Sequence, residues 1–273
     1  MQRIYVVTGA ASGIGRATAR WICERGGRVI GSDLKDADIV ADLTTREGRA
    51  ALVDGASRLS GGRIDAIVAN AGGGPPETSL SLNFFGAVAT LEGLRPLLAG
   101  SPAPRAVAVS SVASMRPDTA GLVGACLALD EAAANAAARR AFGEGGVGGA
   151  GAPPLPDAAP DASLALYGAA KQALQRWCRK AAVGPAWAGA GIPLNVVALG
   201  FFDTPAAAQV LGDPALKAAM GRTAPLAGAY PGRAEEAAAL LAWLVSPENS
   251  QMTGQILYAD AGMECRLRQE AAA

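Results

Sequence analysis

The sequence contains no histidine, and its four cysteines are widely separated. Without histidine, Ser–His and Cys–His nucleophilic catalysis and most zinc sites are excluded. Cys23, Cys126, Cys178 and Cys265 form no C-x-x-C pair, so free and partly buried thiols are expected. Carboxylates do not cluster either. We therefore expect no metal centre and no histidine-dependent nucleophile.

An excess of charge and a long apolar run are also missing. Lys plus Arg and Asp plus Glu number 24 each, so no basic field attracts nucleic acid or an anionic membrane. No apolar run approaches the ~20 residues of a membrane span. The N-terminal segment MQRIYVVTGAASG lacks a secretory h-region and a cleavage site. These features predict a cytoplasmic protein that binds neither nucleic acid nor membrane.

The chain begins with a strand, a glycine turn and a helix. A β-branched run at Ile4 to Val7 leads into TGAASGIG at 8–15 and then into a helical segment. Glycines let the backbone turn tightly and approach a pyrophosphate, which then lies at the helix N-terminus. The flanking strand and helix make this signal meaningful. A purely structural turn is the alternative.

The second strand, RVIGSD, ends in Asp33, 18 positions after Gly15. An acidic residue at about this distance binds the ribose 2′-hydroxyl of a dinucleotide. A carboxylate there also repels a 2′-phosphate, and neither Ser12 nor Leu34 supplies a compensating positive charge. NAD is therefore favoured over NADP. An Asp that only caps the next element is the alternative.

Six or seven short strands alternate with helical segments along the 273 residues. This alternation predicts an α/β, Rossmann-type, doubly wound parallel sheet of about seven strands, with helices on both faces. We expect a single domain over residues 1–273. Thr8, Asp33, Asn70, Ser111 and Gly200 fall at or just past predicted strand ends, so they should converge at one edge of the sheet.

Tyr167 and Lys171 are four residues apart in the helical segment LYGAAKQALQRWCRKAA. They should share one face of the helix. A nearby positive charge lowers the pKa of a phenol, which is normally close to 10. The pair could thus serve as a general acid–base group near neutral pH. A Tyr that anchors the helix beside a solvated Lys is the simpler alternative.

An insertion of about residues 116–162 separates Ser111 from Tyr167. Its first part, Leu122 to Phe142, is Ala-rich and helix-prone, and its second part, Gly143 to Pro160, is Gly/Pro-rich and predicts a loop. The insertion could be a spacer, a lid or an interface element. At the other end of the chain, the tail at about 264–273 is expected to fray.

Taken together, these motifs resemble the short-chain dehydrogenase/reductase family. The resemblance covers nearly the whole chain, and it rests on TGAASGIG at 8–15, Asp42-Leu43, NAG at 70–72, Asn83, SSVAS at 110–114, YGAAK at 167–171 and the stretch NVVALGFFDTP from Asn195. Within the family, the segments ADLTTREGRA, LNFFGA and SSVAS and the insertion resemble bacterial 3α-hydroxysteroid dehydrogenase/carbonyl reductase.

The resemblance implies four catalytic roles. Tyr167 would be the acid–base residue, and Lys171 would bind the nicotinamide ribose and lower the Tyr167 pKa. Ser111 would hydrogen-bond the substrate oxygen. Asn83, which is unusual inside a helix, would hold a water molecule in a proton relay to solvent.

The resemblance also implies a set of NAD-binding residues. They belong to the glycine turn, the strand ends and the loop after the sixth strand. They are Gly9, Ser12, Gly13, Ile14 and Gly15 around the pyrophosphate, Asp33 on the adenosine ribose, Asp42 and Leu43 beside adenine, Asn70, Ala71 and Gly72 near the ribose, and Tyr167, Lys171, Gly200, Phe202 and Thr204 near the nicotinamide.

Two features depart from the family pattern. Leu199 stands where the family usually has Pro before Gly200, which should loosen the turn under the nicotinamide. The gap from Ser111 to Tyr167 is also longer than usual. In relatives with such an insertion, extra helices alter the usual four-helix subunit contact, so a monomer or homodimer is expected here rather than a tetramer.

The motifs together predict an NAD-dependent oxidoreductase acting on a secondary alcohol or ketone. The substrate-facing stretches are mostly small and apolar, with Arg116 and Lys217 interpreted as solvated. They predict an uncharged, bulky alicyclic small molecule, such as a steroid, a terpenoid or a polycyclic ketone. The alternatives are a ketoreductase of aromatic polyketides, a non-catalytic NAD-binding sensor, and an epimerase or dehydratase with tightly held NAD.

Overall fold

The computed structural model describes residues 2–118, 120–146 and 162–272. Strands and helices alternate along most of the chain. Their order is β1 (Ile4–Thr8), α1 (Gly13–Glu24), β2 (Arg28–Asp33), β3 (Ile39–Val40), α2 (Arg46–Ser60), β4 (Ala66–Ala69), a π-helical turn (Ser81–Gly86), α3 (Ala87–Leu94), β5 (Arg105–Ser111), α4 (Leu122–Leu127), α5 (Glu131–Gly146), α6 (Ala162–Ala182), β6 (Leu194–Leu199), β7 (Phe202–Asp203), α7 (Ala208–Gly212), α8 (Pro214–Thr223), β8 (Gly232–Arg233), α9 (Ala234–Leu244), β9 (Ile256–Ala259) and α10 (Met263–Ala272).

Within the described residues, seven strands form one parallel sheet in the order β3-β2-β1-β4-β5-β6-β9. The order reverses between β1 and β4, and in an open α/β sheet the ligand crevice lies at such a point, outside the carboxyl ends of the strands. The predicted Rossmann-type, doubly wound α/β fold is therefore confirmed.

Apolar residues of the central strands alternate between the two faces of the sheet. Val6 and Ile67 belong to the core beneath α2, α3 and α6, whereas Val7 and Val68 belong to the core beneath α1 and α9. This period of two is what a strand buried on both faces requires. Across the described part of the chain, no helix combines the length and hydrophobicity that crossing a membrane demands.

The helical part of the insertion packs onto the outside of the domain. Leu122, Cys126 and Ala134 are buried in the same core as Leu174 and Cys178 of α6. A lid would have to line the site, but none of the described side chains of residues 122–143 lines the cavity described below. This part of the insertion therefore does not act as a lid. Most of the predicted Gly/Pro-rich loop, residues 147–160, lies outside the described residues.

An ion pair ties the insertion to α2. Arg49 of α2 holds Glu131 of α5 through two bonds, Nη1 to Oε2 at 2.6 Å and Nη2 to Oε1 at 2.8 Å. The same guanidinium donates to the carbonyls of Leu43 at 2.8 Å and Ser81 at 2.8 Å. Arg49 thus joins α5 to the wall predicted to hold adenine and to the π-helical turn.

Residues 264–272, which the sequence analysis treated as a tail, belong to α10, and the expectation that this segment frays stays a prediction. The carboxylate of Asp260 accepts hydrogen bonds from the backbone N–H groups of Gly262 and Glu264 at 2.9 and 2.7 Å. Met263 is buried against the domain. An Asp at the start of a helix and an apolar anchor in its first turn stabilise a segment that composition alone does not mark as helical.

The turn after β6 is closely packed although Leu199 stands where the family usually has proline. The Leu199 side chain is buried, and the N–H of Gly200 donates to the carbonyl of Ala259 at 3.0 Å. A Cβ on Gly200 would lie 2.7 Å from Cα of Asp260, so only glycine fits this close approach. The burial of Leu199 and the close approach of Gly200 to Asp260 define the path of the turn.

Replacement of Glu131 by Gln should destabilise the fold in a pH-dependent way. Burial alone raises the Glu131 pKa, but hydrogen bonds from Arg49 and Ser81 outweigh it and hold the pKa below its ordinary value. A lowered carboxylate pKa gives stability that is present above the unfolded pKa of about 4.3 and is lost as pH falls through the folded pKa. We expect Glu131→Gln to lower the free energy of unfolding by about 1–3 kcal/mol at pH 7.

The measurement is urea denaturation followed by circular dichroism between pH 7 and pH 3, where the loss should shrink with falling pH. Glu24→Gln is the control, because Glu24 pairs with Arg20 on the solvent-exposed face of α1. That variant should lose less than about 1 kcal/mol. An equal loss for Glu131→Gln at all pH values would contradict the assignment.

Candidate active site

A cavity of about 1620 Å³ opens at the carboxyl edge of the sheet. Its walls contain nearly all the predicted site residues, which lie far apart in the sequence. These are Gly9, Ser12, Gly13, Ile14, Asp33, Asp42, Leu43, Asn70, Ala71, Gly72, Ser111, Tyr167, Lys171, Gly200, Phe202 and Thr204. Gly15 and Asn83 do not line the cavity, but each lies next to residues that do.

The glycine turn is shaped by close packing. Gly13 has a φ of +48°, and a Cβ on it would lie 3.3 Å from the Thr204 side chain. A Cβ on Gly15 would lie 1.9 Å from the carbonyl oxygen of Gly9. Gly15 therefore allows α1 to approach the turn, as a phosphate-binding strand–turn–helix requires.

Thr8 and Asn70 fasten the ends of β1 and β4 together. Thr8 Oγ1 accepts hydrogen bonds from the backbone N–H groups of Asn70 and Ala71, both at 3.0 Å, and Asn70 Nδ2 donates to the Thr8 carbonyl at 2.9 Å. The sequence analysis placed Thr8 at the edge without a role. That role becomes visible only in the folded sheet, where β1 lies next to β4. The sequence does not show which strands are neighbours.

Acidic and hydroxyl groups line the β2 end of the cavity. The Asp33 carboxylate accepts from the N–H groups of Ala11 and Leu34 at 2.9 and 2.7 Å, which fixes its orientation. Asp42 Oδ1 accepts from the N–H and hydroxyl of Thr44. Ser32 Oγ is buried in the same wall and has no hydrogen-bond partner among the described residues.

Tyr167 and Ser111 meet at the other end of the cavity, through a hydrogen bond between their side chains. Ser111 Oγ also accepts from the N–H of Ala113 at 3.1 Å. Tyr167 is partly buried and forms part of the cavity wall. This burial raises the Tyr167 pKa, and the bond with Ser111 offsets the increase only in part. The lowering of the Tyr167 pKa by Lys171 stays a prediction.

Lys171 is 2% exposed. Its Nζ donates to the carbonyl of Val109 at 2.9 Å and lies 5.6 Å from the centroid of the Tyr167 ring. Removal of a cation from water disfavours its charged form, and burial accordingly lowers the Lys171 pKa to about 8. Lys171 therefore lies beside Tyr167, as the helical spacing predicted.

A buried polar cluster that the sequence analysis missed holds α6 against β5. Ser110 Oγ donates to the Lys171 carbonyl at 3.2 Å. Gln175 Nε2 donates to Ser110 Oγ at 3.0 Å and to Ser114 Oγ at 2.7 Å. Gln175 follows Lys171 by four residues, so the helical face of Tyr167 and Lys171 was the available signal.

Asn83 is fully buried in the π-helical turn and holds a neighbouring loop. Its amide accepts from the N–H of Gly73 and donates to the carbonyls of Gly73 and Ser79, all at 2.9 Å. A Cβ on Gly72 would lie 2.9 Å from Asn83 Oδ1 and 3.0 Å from Lys171 Nζ. Asn83 is thus placed next to Lys171, and its water-holding role stays a prediction.

Four arginines line the substrate end of the cavity, and the sequence analysis gave none of them a role in the site, since it interpreted Arg116 of a substrate-facing stretch as solvated. They come from the loop after β5 and from helices α8 and α10, and they are Arg116, Arg222, Arg266 and Arg268. Composition gives no signal for them, because α8 and α10 meet only in the folded chain.

The chain matches two family models. One is short chain dehydrogenase, over residues 3–123, and the other is enoyl-(acyl carrier protein) reductase, over residues 158–264. The 3-alpha-hydroxysteroid dehydrogenase/carbonyl reductase of Comamonas testosteroni is 35% identical over 97% of this chain and 98% of its own length. The chain belongs to the short-chain dehydrogenase/reductase family. It is accordingly an oxidoreductase, and the predicted family resemblance is confirmed.

Two further similarities concern this short-chain dehydrogenase/reductase. The cis-4-hydroxycyclohexanecarboxylate dehydrogenase of Sinomonas cyclohexanicum is 32% identical over 96% of both chains. The crystal structure of the 3-alpha-hydroxysteroid dehydrogenase from Pseudomonas sp. B-0831, complexed with NADH, superposes with a TM-score of 0.83 at 33% identity. That match covers 98% of this chain and 99% of the other.

Members of this family use NAD(P)(H), and the cavity residues fit such a dinucleotide. Gly9, Ser12, Gly13 and Ile14 line the cavity at the start of α1, where a pyrophosphate would meet the helix N-terminus. The unpartnered Ser32 Oγ and the fixed Asp33 carboxylate suit an adenosine ribose. Lys171, with an ammonium that can donate three bonds, suits the second ribose. The bound nicotinamide would carry the hydride.

Substitution of Lys171 by Met should abolish turnover without destabilising the fold. A Lys pKa lowered from 10.5 to about 8 means that the buried charge opposes folding below pH 8, by about 3 kcal/mol. Stability should increase as pH rises from 8 toward 10.5. Loss of the bond to Val109 costs roughly 1 kcal/mol. We therefore expect Lys171→Met to be at least as stable as the parent at pH 7.

Thermal and urea unfolding at pH 7, with NADH formation measured in parallel, checks this expectation. Lys180→Met on the exposed end of the same helix is the control and should change neither property. A strongly destabilised but active Lys171→Met protein would contradict the placement of Lys171.

Proposed function

We propose that the chain is an NAD(H)-dependent enzyme that interconverts a secondary alcohol and a ketone on a bulky, largely apolar alicyclic substrate. The observation that carries the proposal is the hydrogen-bonded pair Tyr167–Ser111 in the cavity wall, with the buried Lys171 ammonium 5.6 Å from the tyrosine ring. This arrangement supplies a proton donor, a hydrogen bond for the substrate oxygen and a fixed positive charge.

Tyr167, Ser111 and Lys171 have different roles in the proton transfer. In ketone reduction, Tyr167 donates its proton to the carbonyl oxygen while Ser111 Oγ–H bonds the same atom. The phenolate that forms is stabilised by the neighbouring Lys171 ammonium. In alcohol oxidation Tyr167 takes the proton back. Since burial raises the Tyr167 pKa, the phenol keeps its proton at pH 7, which favours proton donation to a ketone.

Asp33 supports NAD rather than NADP as the cofactor. Its carboxylate is fixed at the cavity wall by two backbone N–H groups. The other described wall residues at this end are Ser32, Leu34, Ala41 and Asp42, which provide no cation for a 2′-phosphate. A carboxylate would instead accept hydrogen bonds from the ribose hydroxyls.

The substrate class is supported by the wall around Tyr167. Leu82, Val112, Met115, Leu164 and Met220 give this part of the cavity apolar surfaces suited to a ring system. The names of two similar curated relatives, a hydroxysteroid and a hydroxycyclohexanecarboxylate dehydrogenase, agree with an alicyclic secondary alcohol.

A monomer or homodimer remains our proposal for the assembly, because α4 covers the outer face of α6. Leu122 and Val123 of α4 are buried with Leu174 of α6. A second subunit could not pack on that face of α6 unless α4 moved.

Replacement of Tyr167 by Phe tests the mechanism. The ring and its packing remain, but the transferable proton is removed, so turnover should fall by at least about 100-fold. NADH affinity should change little, because Lys171 and the glycine turn are intact. Steady-state kinetics and NADH fluorescence titration measure the two quantities. Tyr5→Phe, at the far end of the sheet, is the control. Retained turnover in Tyr167→Phe would exclude the assigned role.

Replacement of Asp33 by Ala tests the cofactor preference. The parent should have a higher kcat/KM with NAD than with NADP, and Asp33→Ala should narrow that ratio about tenfold or more, since a charged hydrogen-bond partner and a repulsive charge are both removed. Asp54→Ala, exposed on α2, is the control. A parent enzyme that prefers NADP, or an unchanged ratio in Asp33→Ala, would contradict the proposal.

A further inference from the structure

The strand order places the two ends of the cavity on opposite sides of β1. Asp33 at the end of β2 and residues 41–44 after β3 line one end, whereas Ser111 of β5 and Tyr167 of α6 line the other. A dinucleotide with its pyrophosphate at the start of α1 and its nicotinamide beside Tyr167 must place its adenosine half along residues 41–44. The position of this segment therefore bears on cofactor affinity.

Residues 41–44 form neither a helix nor a strand, so the shape of this segment depends on contacts with its neighbours. Arg49 of α2 binds two of its carbonyl groups. Nε of Arg49 donates to the Leu43 carbonyl at 2.8 Å, and Nη2 donates to the Thr44 carbonyl at 3.3 Å. Arg49 thus holds the backbone of the wall from the side that faces away from the cavity.

The guanidinium of Arg49 is oriented by the insertion. Glu131 of α5 accepts from its Nη1 at 2.6 Å and from its Nη2 at 2.8 Å, and the two side chains are only 12% and 21% exposed. A two-bond contact between a guanidinium and a carboxylate fixes geometry as well as supplying attraction. Glu131 therefore fixes the plane of the guanidinium whose Nε–H faces the Leu43 carbonyl.

The position of Glu131 is determined in turn by the packing of α5. Ala134 and Ala138 of this helix are buried in the core of the domain. Asn135 Nδ2 donates to Ser81 Oγ of the π-helical turn at 3.0 Å. Since Glu131 lies in the first turn of the same helix, these contacts hold its carboxylate against α2.

We infer that the insertion sets the affinity for the adenosine half of the cofactor, because Glu131 orients Arg49 and Arg49 holds the wall segment 41–44. This inference rests on the proposed NAD(H)-dependent function. Neither Arg49 nor Glu131 lines the cavity. Both are positioning residues, which act on the cofactor through the backbone of Leu43 and Thr44.

The same guanidinium also donates to the Ser81 carbonyl at 2.8 Å, but the π-helical turn has further anchors. The Asn83 amide is bonded to both backbone groups of Gly73 at 2.9 Å, and Phe84 is fully buried. Loss of the ion pair should therefore displace the wall segment 41–44 more than the turn that lies next to Lys171. The effect should fall on the adenosine half of the cofactor.

The test separates the two halves of the cofactor by three probes. NADH binding to the parent and to Glu131→Gln is measured by fluorescence titration, and AMP and reduced nicotinamide mononucleotide are measured by competition with NADH. Glu131→Gln should weaken the binding of NADH and of AMP about fivefold or more. The affinity for reduced nicotinamide mononucleotide should not change. With a cyclic alcohol as substrate, the KM for NAD should rise and kcat should stay the same.

Asp118→Ala is the matched control for a loss of stability. The Asp118 carboxylate accepts from the N–H groups of Leu122 and Val123, both at 2.9 Å, so its removal weakens the insertion at α4 and leaves the ion pair in place. This variant should bind all three probes as the parent does. Circular dichroism verifies that each variant is folded under the conditions of the titration.

A double variant tests whether Glu131 acts through Arg49. Because the carboxylate has no other route to the wall in this account, Arg49→Gln combined with Glu131→Gln should bind AMP no more weakly than Arg49→Gln alone. Additive losses would show that the two residues act independently.

Four results would overturn the inference. They are an unchanged NADH affinity in Glu131→Gln, an equal weakening of AMP and reduced nicotinamide mononucleotide, the same weakening in Asp118→Ala, and additive losses in the double variant. In each case the parent would still bind NADH and oxidise a cyclic alcohol, so the proposed function would stand. A parent protein that binds no NADH would refute the proposed function, and the inference with it.

Discussion

The burial of one ammonium group determines how the site is built. Lys171 is almost inaccessible to solvent, and a buried cation is costly unless polar groups compensate it. The carbonyl of Val109 provides that compensation at the end of β5, and Ser110 and Gln175 hold the same helix against the same strand. Because α6 is fixed in this position, Tyr167 is brought onto Ser111. The contact between Tyr167 and Ser111 thus follows from the polar contacts that compensate the buried Lys171 charge.

The parallel sheet positions the other groups of the site. Every strand of the described sheet points the same way, so the groups that follow each strand gather at one edge. The insertion contacts the back of the cavity wall, because Arg49 links Glu131 to the carbonyls of Leu43 and Ser81. The added helices therefore support the cofactor wall and the π-helical turn of Asn83. Their described side chains, residues 122–143, do not line the cavity.

The sequence predicted well the features that depend on residues close together along the chain. The glycine turn, Asp33 after its strand and the four-residue spacing of Tyr167 and Lys171 each have a local cause. Contacts made between distant segments were missed. The pairing of Arg222 with Arg266 needs α8 to meet α10, and the raised Tyr167 pKa reflects burial by the whole fold. The helical tail was missed because Asp260 and Met263 anchor it only after folding.

The most direct test of the account is the absorbance of reduced nicotinamide after the protein is mixed with NAD and a panel of cyclic secondary alcohols. Hydroxysteroids and substituted cyclohexanols should form NADH, whereas open-chain alcohols of the same size should form little. The corresponding cyclic ketones should oxidise NADH. Measurable NADH binding, without turnover of any alcohol or ketone in either direction, would contradict the assignment of Tyr167, Ser111 and Lys171 to hydride-transfer chemistry.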